Sequence, residues 1–412
     1  MEKIRMLNPV VEIDGDEMTR VMWAWVKEQL LLPYVDLKTE YYDLHVKKRD
    51  ETNDQITVQA AEAIKKWKVG VKCATITPNA ERVKEYNLKK EWPSPNATIR
   101  KILDGTIFRA PIIVSNVRPA IRFWKKPIVI ARHAFGDIYD AVSAKFEEGS
   151  EAELNVKGKD GKVANYKFPK LNGSGVIEAK YNIDKSITGF AKASFNYALM
   201  VKLDLWFATK DTISKVYDAR FKEIFADVYE KEFRNSFEAN GLHYNYFLID
   251  DALARAVRSE GGFVWACKNY EGDVFSDFVS TAFVGTLALM TSELMSPEGY
   301  YESEAAHGTV QRHYYRYLKG EKVSTNPTAI IYAWTRGLKR RAELDGTQDL
   351  YKFSNLLEEA VKKTIEVDKI MTQDVANVAD PPINAVVDTQ TFIAAVKKNL
   401  ESSLSKEGLL KA

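Results

Sequence analysis

The sequence is short of several things, and each shortage removes a class of function. Cysteine is nearly absent: Cys73 and Cys267 are the only two in 412 residues. Two thiols so far apart make no disulfide framework and cannot hold zinc by themselves, and they favour a reducing compartment. No apolar stretch reaches the ~18 residues needed to span a bilayer. The start, Met1-Glu2-Lys3-Ile4-Arg5, has no hydrophobic signal core and no Arg/Ser-rich presequence, and Leu410-Lys411-Ala412 does not match the peroxisomal tripeptide. The expected location is the cytosol, or an organelle after loss of a leader. Excess charge is also missing: 59 Lys and Arg against 57 Asp and Glu leave a net charge of +2. That balance argues against nucleic acid and against an anionic membrane as partners. No repeat of fixed period occurs. Neither G-x-G-x-x-G after a strand nor G-x-x-x-x-G-K-S/T is present, so any nucleotide is held by another device.

What remains is an ordinary globular composition, 45% hydrophobic and 28% charged, in a chain long enough for about two or three domains. Short apolar, β-branched runs alternate with longer amphipathic ones, which predicts an α/β fold. Strands are expected at Val69–Ile76, Pro111–Ser115, Pro127–Arg132, Leu203–Ala208 and Phe263–Ala266. Helices are expected at Thr19–Leu31, Val58–Lys66, Ala97–Leu103, Ile187–Met200, Tyr217–Ala239 and Asp250–Arg258, with Thr328–Leu344, Leu350–Val367 and Thr391–Leu404 in the last third. Asn326-Pro327 offers a start for the first of those three. Between Ala144 and Tyr181 the chain alternates and is rich in Lys, Gly and Glu, and Asp160-Gly161 gives a strong hairpin turn. This excursion is either a surface hairpin or an arm that pairs with a second subunit, since an isolated hairpin is marginal in water.

Four groups of residues carry chemistry. In Asn269–Asp277 the acids Asp273 and Asp277 are four apart, so on a helix they share one face. Two hard oxygen ligands on a rigid element suit Mg²⁺ or Mn²⁺, although a solvated helix face is the commoner fate of such a pair. A second acidic pair, Asp250-Asp251, opens a helix. Arg100, Arg109 and Arg132 sit in the short contexts Ser94–Arg100, Thr106–Arg109 and Ile130–His133, and Arg132 ends an apolar strand. Converging guanidinium forks would match a substrate with several carboxylates; unrelated ion pairs are the bland alternative. Glu304–Tyr314 contains a small-residue turn followed by Arg312 and His313, where backbone N–H groups at Gly308 could face a phosphate. Finally, Lys210 closes an apolar strand and Tyr139 lies in Asp137-Ile138-Tyr139, candidates for a base and a phenolic proton donor.

In order along the chain stand Gly15-Asp16-Glu17-Met18-Thr19-Arg20, Gly70–Pro78, Ser94-Pro95-Asn96, Arg132-His133-Ala134, Asn269–Asp273, Glu304–Val310, Ser324-Thr325-Asn326-Pro327 and Ala333–Leu338. Through these motifs nearly the whole chain resembles the dimeric, eukaryotic-type NADP-dependent isocitrate dehydrogenases of the β-decarboxylating family. The resemblance implies an isocitrate/isopropylmalate dehydrogenase-like, non-Rossmann α/β fold. It implies a large domain (1–103 plus 284–412), a small domain (104–136 plus 184–283) and a clasp (137–183) that interlocks two subunits. It implies that Thr77, Ser94, Asn96, Arg100, Arg109 and Arg132 hold isocitrate. Asp273 and Asp277 would hold Mg²⁺ or Mn²⁺, joined by Asp250 of the other subunit. Lys210 would also reach across the dimer, and Tyr139 would act in its own subunit. Lys72, Thr75, Thr77, Arg82, Gly308, Thr309, Val310, Arg312, His313 and Asn326 would bind NADP, with Arg312 and His313 on the 2′-phosphate. Arg255 and Arg258, where the family often has Gln and Lys, would also bind NADP near the 2′-phosphate from across the interface, and Phe135 replaces a common Tyr.

The implied reaction is the oxidation and decarboxylation of isocitrate to 2-oxoglutarate and CO2 by way of oxalosuccinate, yielding NADPH. Its alternatives are an NAD-using or other β-decarboxylating dehydrogenase, or a catalytically silent paralogue serving as a binding subunit.

Overall fold

A computed structural model describes residues 3–383 and 386–409. It separates into two compact units, Met1–Phe135 with Asp184–Ala412, and Gly136–Ile183. The strands, in chain order, are β1 (Val10–Asp14), β2 (Thr39–Asp43), β3 (Val69–Lys72), β4 (Thr106–Pro111), β5 (Lys126–His133), β6 (Val142–Phe146), β7 (Glu153–Lys157), β8 (Val163–Lys167), β9 (Gly175–Ala179), β10 (Asp204–Thr209), β11 (Tyr244–Leu248), β12 (Gly261–Cys267), β13 (Met290–Met295) and β14 (Tyr301–Ala305). Four of them, β6 to β9, belong to the second unit.

The first unit is built on one ten-stranded mixed sheet in the order β11-β10-β12-β5-β4-β13-β14-β3-β1-β2. Its two flanks are parallel, β11-β10-β12-β5 and β14-β3-β1-β2. Antiparallel pairing of β4 and β13 joins them. The flanks therefore run in opposite directions, and ligand crevices open beyond the carboxyl ends of parallel strands. Val10–Asp14 is buried along its whole length, as expected of a strand covered on both faces. Helices cover the sheet: Trp23 and Trp334 meet at 4.8 Å between ring centroids in one core, and Phe207 stacks on Phe225 at 3.7 Å in another.

The long helices fall where the apolar spacing predicts them, with Thr328–Asp345, Gln348–Glu366 and Thr389–Lys406 forming the C-terminal third. Two expected strands change. Val69–Ile76 ends at Lys72, because the next residues turn to meet the Asp16 carboxylate. Of Pro111–Ser115 only Pro111 is strand, the last residue of β4. Ile112 and Val114 are buried as side chains in the core, not as ladder members. Thr19–Leu31 and Tyr217–Ala239 are helical but contain wide π turns at Lys27–Leu31 and Tyr229–Phe233. No helix among the described residues is long and apolar enough to cross a membrane.

The second unit consists of two antiparallel pairs, β6 with β9 and β7 with β8, the latter closed by Asp160-Gly161. Every residue of β7 and β8 is exposed, including Leu154, Val156, Val163 and Tyr166.

Candidate active site

The site begins with sheet register. Lys72 pairs with Glu304, Glu304 with Ser292, and Ser292 with Arg109, one row across β3, β14, β13 and β4. Paired residues share a face, so four polar side chains line up, all buried. Glu304 is the hub. It accepts from Arg100 Nη2 at 2.6 Å and from Ser292 Oγ at 3.2 Å, and Lys72 Nζ lies 3.6 Å away. Burial pushes the Glu304 carboxyl up, but the Arg100 and Lys72 charges outweigh it and hold the group well below the ordinary carboxylate range. Arg100 comes from the helix Pro95–Leu103, whose first turn Ser94 caps by accepting from Ala97 N–H.

Glu302, two residues before Glu304 on β14, has the opposite fate. Burial first, and then the Glu304 charge, push it up to about 7. The folded chain therefore binds more protons than the unfolded one between the ordinary value of 4.5 and about 7. Glu302 thus costs stability as pH rises through that window, and the cost levels off above it. Glu302→Gln should gain on the parent across the same window, by an amount on the order of 2–3 kcal/mol. Denaturant melts at pH 5 and pH 8 test this; a pH-independent difference would refute it.

Arg109 and Arg132 face the helix Asn269–Val284. Arg109 Nη1 donates to Ser276 Oγ at 2.9 Å and to Asp277 Oδ1 at 3.2 Å. Arg132 is paired with the Asp273 carboxylate and donates to Asn269 Oδ1 through Nε at 3.0 Å and Nη2 at 2.8 Å. Gly272 makes this approach possible, since a Cβ there would lie 2.7 Å from the Arg132 side chain. Asp273 and Asp277 thus stand one turn apart on one helix face, both half-exposed, and each salt-bridged to an arginine. Burial, with the Asp273 charge added, pushes Asp277 up despite Arg109. The three arginines and two aspartates form one continuous polar patch. Within it Arg109 Nε is buried without a hydrogen-bond partner, as is Asn96 Oδ1 on the helix that carries Arg100. The guanidinium N–H fits an anionic ligand that carries several oxygens, and the amide oxygen, an acceptor, fits a hydroxyl donor.

Lys210 and Asp250 follow the carboxyl ends of the adjacent strands β10 and β11 and pair at 2.6 Å. The hydrogen bond from Lys210 holds Asp250 low. Below them is a buried cluster that sequence reasoning missed: Asp218 accepts from the Lys210 backbone N–H at 2.8 Å and from Lys268 Nζ at 2.7 Å. Nothing in the spacing of Asp218 or Lys268 marks them. Tyr139 lies in the turn Asp137–Tyr139 of the second unit and is half-buried there.

The candidate cofactor residues other than Arg255 and Arg258, which follow β11, occupy the other flank. Lys72 is buried and donates to Cys73 O at 3.0 Å. Thr75 and Thr77 lie in the loop after β3, half-buried and exposed respectively. Gly308-Thr309-Val310 leads into the helix Gln311–Leu318; Val310 sits at φ +56°, a strained conformation for a β-branched residue. Arg312, exposed, and His313, half-buried, occupy the first turn, where N–H groups attract anions. Burial, helped by Arg316, pushes His313 down. Asn326 is buried and its side chain bonds Thr372 Oγ1 and Thr328 N–H. Arg255 and Arg258 bond within their own helix, to Asp251 and to Ala254 O.

For a divalent cation, the two carboxylates of Asp273 and Asp277 supply hard oxygen donors of the right kind. One chain brings no third: among the described residues, no group of three acidic, His or Cys side chains gathers.

The sequence profile described as isocitrate/isopropylmalate dehydrogenase matches residues 5–396. A Sphingobium yanoikuyae protein named isocitrate dehydrogenase (NADP) is 50% identical over 98% of this chain and 100% of its own length. A mitochondrial protein of that name from Saccharomyces cerevisiae is 51% identical over 98% of this chain and 95% of its own. One from Candida tropicalis is 52% identical over 97% and 94%.

Proposed function

This chain belongs to the isocitrate/isopropylmalate dehydrogenase family, and from that premise we infer that it is an NADP-dependent isocitrate dehydrogenase, oxidising isocitrate to 2-oxoglutarate and CO2 and producing NADPH. The observation that best supports this reading is the meeting of Arg109 with Asp277 and Arg132 with Asp273. Anion-holding and cation-holding groups lie in contact, as a metal-chelated tricarboxylate requires.

We propose that Arg100, Arg109 and Arg132, with Thr77, Ser94 and Asn96, hold the three carboxylates of the substrate. Each guanidinium would exchange its present carboxylate partner for one of the ligand. Asp273 and Asp277, with Asp250 from a second copy, would hold Mg²⁺ or Mn²⁺. Bound there, the cation supplies Lewis acidity at the substrate hydroxyl and carboxylate oxygens. Lys210, from the same second copy as the Asp250 it pairs with, would take the hydroxyl proton. When bound, NADP would supply the acceptor for the hydride of the hydroxyl-bearing carbon, and the residues around it have only to position it. Loss of CO2 then leaves a carbanion that Tyr139 protonates. On the cofactor side, Lys72, Thr75, Arg82, Gly308, Thr309, Val310 and Asn326 would line the nucleotide, and Arg312 and His313, with Arg255 and Arg258 of the second copy, would face the 2′-phosphate.

The homodimer is part of the proposal. The unit 136–183 exposes apolar strand residues on pairs too small to be stable alone, which supports a clasp over 137–183. The sheet, reversed between β4 and β13, supports a division into a small domain of 104–136 with 184–283 and a large one of 1–103 with 284–412. Two buried free thiols suit a reducing compartment, and of these we propose the cytosol.

Absorbance of the reduced nicotinamide tests the activity. Isocitrate with NADP and Mn²⁺ should give turnover that a chelator abolishes and that NAD supports at least ~10-fold less well, the 2′-phosphate adding charge-assisted contacts. Equal use of NAD would favour the NAD-using alternative, and no turnover the silent paralogue.

A further inference from the structure

The motif Gly15-Asp16-Glu17 remains outside every role assigned so far, yet it touches three segments of the cofactor face. Gly15 follows β1 and packs so tightly that a Cβ there would lie 1.9 Å from Ala74 O. Asp16 is fully buried. Its N–H donates to Ala74 O at 2.9 Å, and its carboxylate accepts from Ile76 N–H and Val46 N–H, each at 2.8 Å. It therefore shapes the loop that presents Thr75 and Thr77.

Glu17 is nearly fully buried at the first residue of its helix, with φ +53°. A left-handed backbone at a non-glycine residue persists only where the surroundings over-determine it. Here they do. The carboxylate lies 2.9 Å from Arg82 Nη1, accepts from Arg82 Nη2 at 3.2 Å and from Tyr86 OH at 3.3 Å, and also accepts from the Thr309 hydroxyl. One carboxylate thus ties the helix Ala80–Tyr86 to the loop before the helix Gln311–Leu318, segments over two hundred residues apart in sequence. Arg82 is further held by Glu85 at 2.7 Å. A guanidinium shared by two carboxylates contributes direction more than net charge.

We propose that Glu17 is a positioning residue for the cofactor: it sets Arg82 and Thr309 in the arrangement that binds NADP, while Asp16 sets the Thr75–Thr77 loop beside them. This rests on the reading that Arg82 and Thr309 contact the cofactor.

Two substitutions separate positioning from plain structural support. Glu17→Gly relieves the φ +53° strain but removes the acceptor that Arg82, Tyr86 and Thr309 share, so melting temperature should fall modestly while the chain stays folded. Glu17→Gln keeps the shape and loses the charge. Titration of the full-length protein with NADPH, followed by nucleotide fluorescence, should show both variants binding about 10-fold more weakly, the loss expected of a charge-assisted hydrogen bond. Their kcat at saturating NADP and KM for isocitrate should stay within about twofold of the parent, because no Glu17 contact reaches the substrate residues. Arg82→Ala is the control. If it weakens NADPH while both Glu17 variants bind as the parent does, the positioning role is overturned and the cofactor assignment stands. If Arg82→Ala itself binds as the parent, the assignment of Arg82 falls, and the role of Glu17 with it.

Discussion

Asp273→Asn should lower kcat with isocitrate and NADP by ~10³-fold or more, because a metal ligand contributes several kcal/mol of charge stabilisation in the transition state. The folded state should survive. Asp273 is half-exposed on the surface of a sixteen-residue helix, and the amide oxygen of asparagine can still accept from Arg132. Arg132 would also keep its two bonds to Asn269. Circular dichroism and melting temperature should therefore be close to the parent, while the Mn²⁺ concentration for half-maximal turnover rises steeply. A variant with full activity at the parent's metal concentration would remove Asp273 from the metal site.

Lys210→Met should cost ~10²–10⁴-fold in kcat, the range for loss of a general base, with KM for isocitrate moved far less. Methionine matches the length of the lysine stem, so the packing around Asp218 and the strand end should persist. This variant also tests the shared site. If Lys210 and Asp250 serve the site of a second copy, a Lys210→Met chain and an Asp273→Asn chain are both inactive alone but complement each other. Random reassociation makes half the dimers mixed, each with one intact site, so activity should recover to about one quarter of the parent. No recovery on mixing, with heterodimers verified by mass spectrometry, would mean that each chain completes its own site.

The sequence alone carried the residue types and their order. Aspartates four apart, arginines in short contexts and a small-residue turn before Arg312-His313 all mark chemistry in short windows, and the long motifs placed the chain in its family. It also determined the long helices, whose apolar spacing repeats within a few residues of itself, and the Asp160-Gly161 hairpin, whose turn is equally local. Tertiary structure alone decided which of these groups touch. Tyr301-Glu302-Ser303-Glu304-Ala305 reads as an exposed polar stretch, yet it is a buried central strand, because Lys72 and Arg100 neutralise Glu304 there. Asp218, Lys268 and Glu17 acquired their places only through partners distant in the chain. The physical reason is that a sheet sets residues side by side by register. The row Lys72, Glu304, Ser292, Arg109 exists only once β3, β14, β13 and β4 have paired, and no local pattern encodes a neighbour that the chain reaches two hundred residues later.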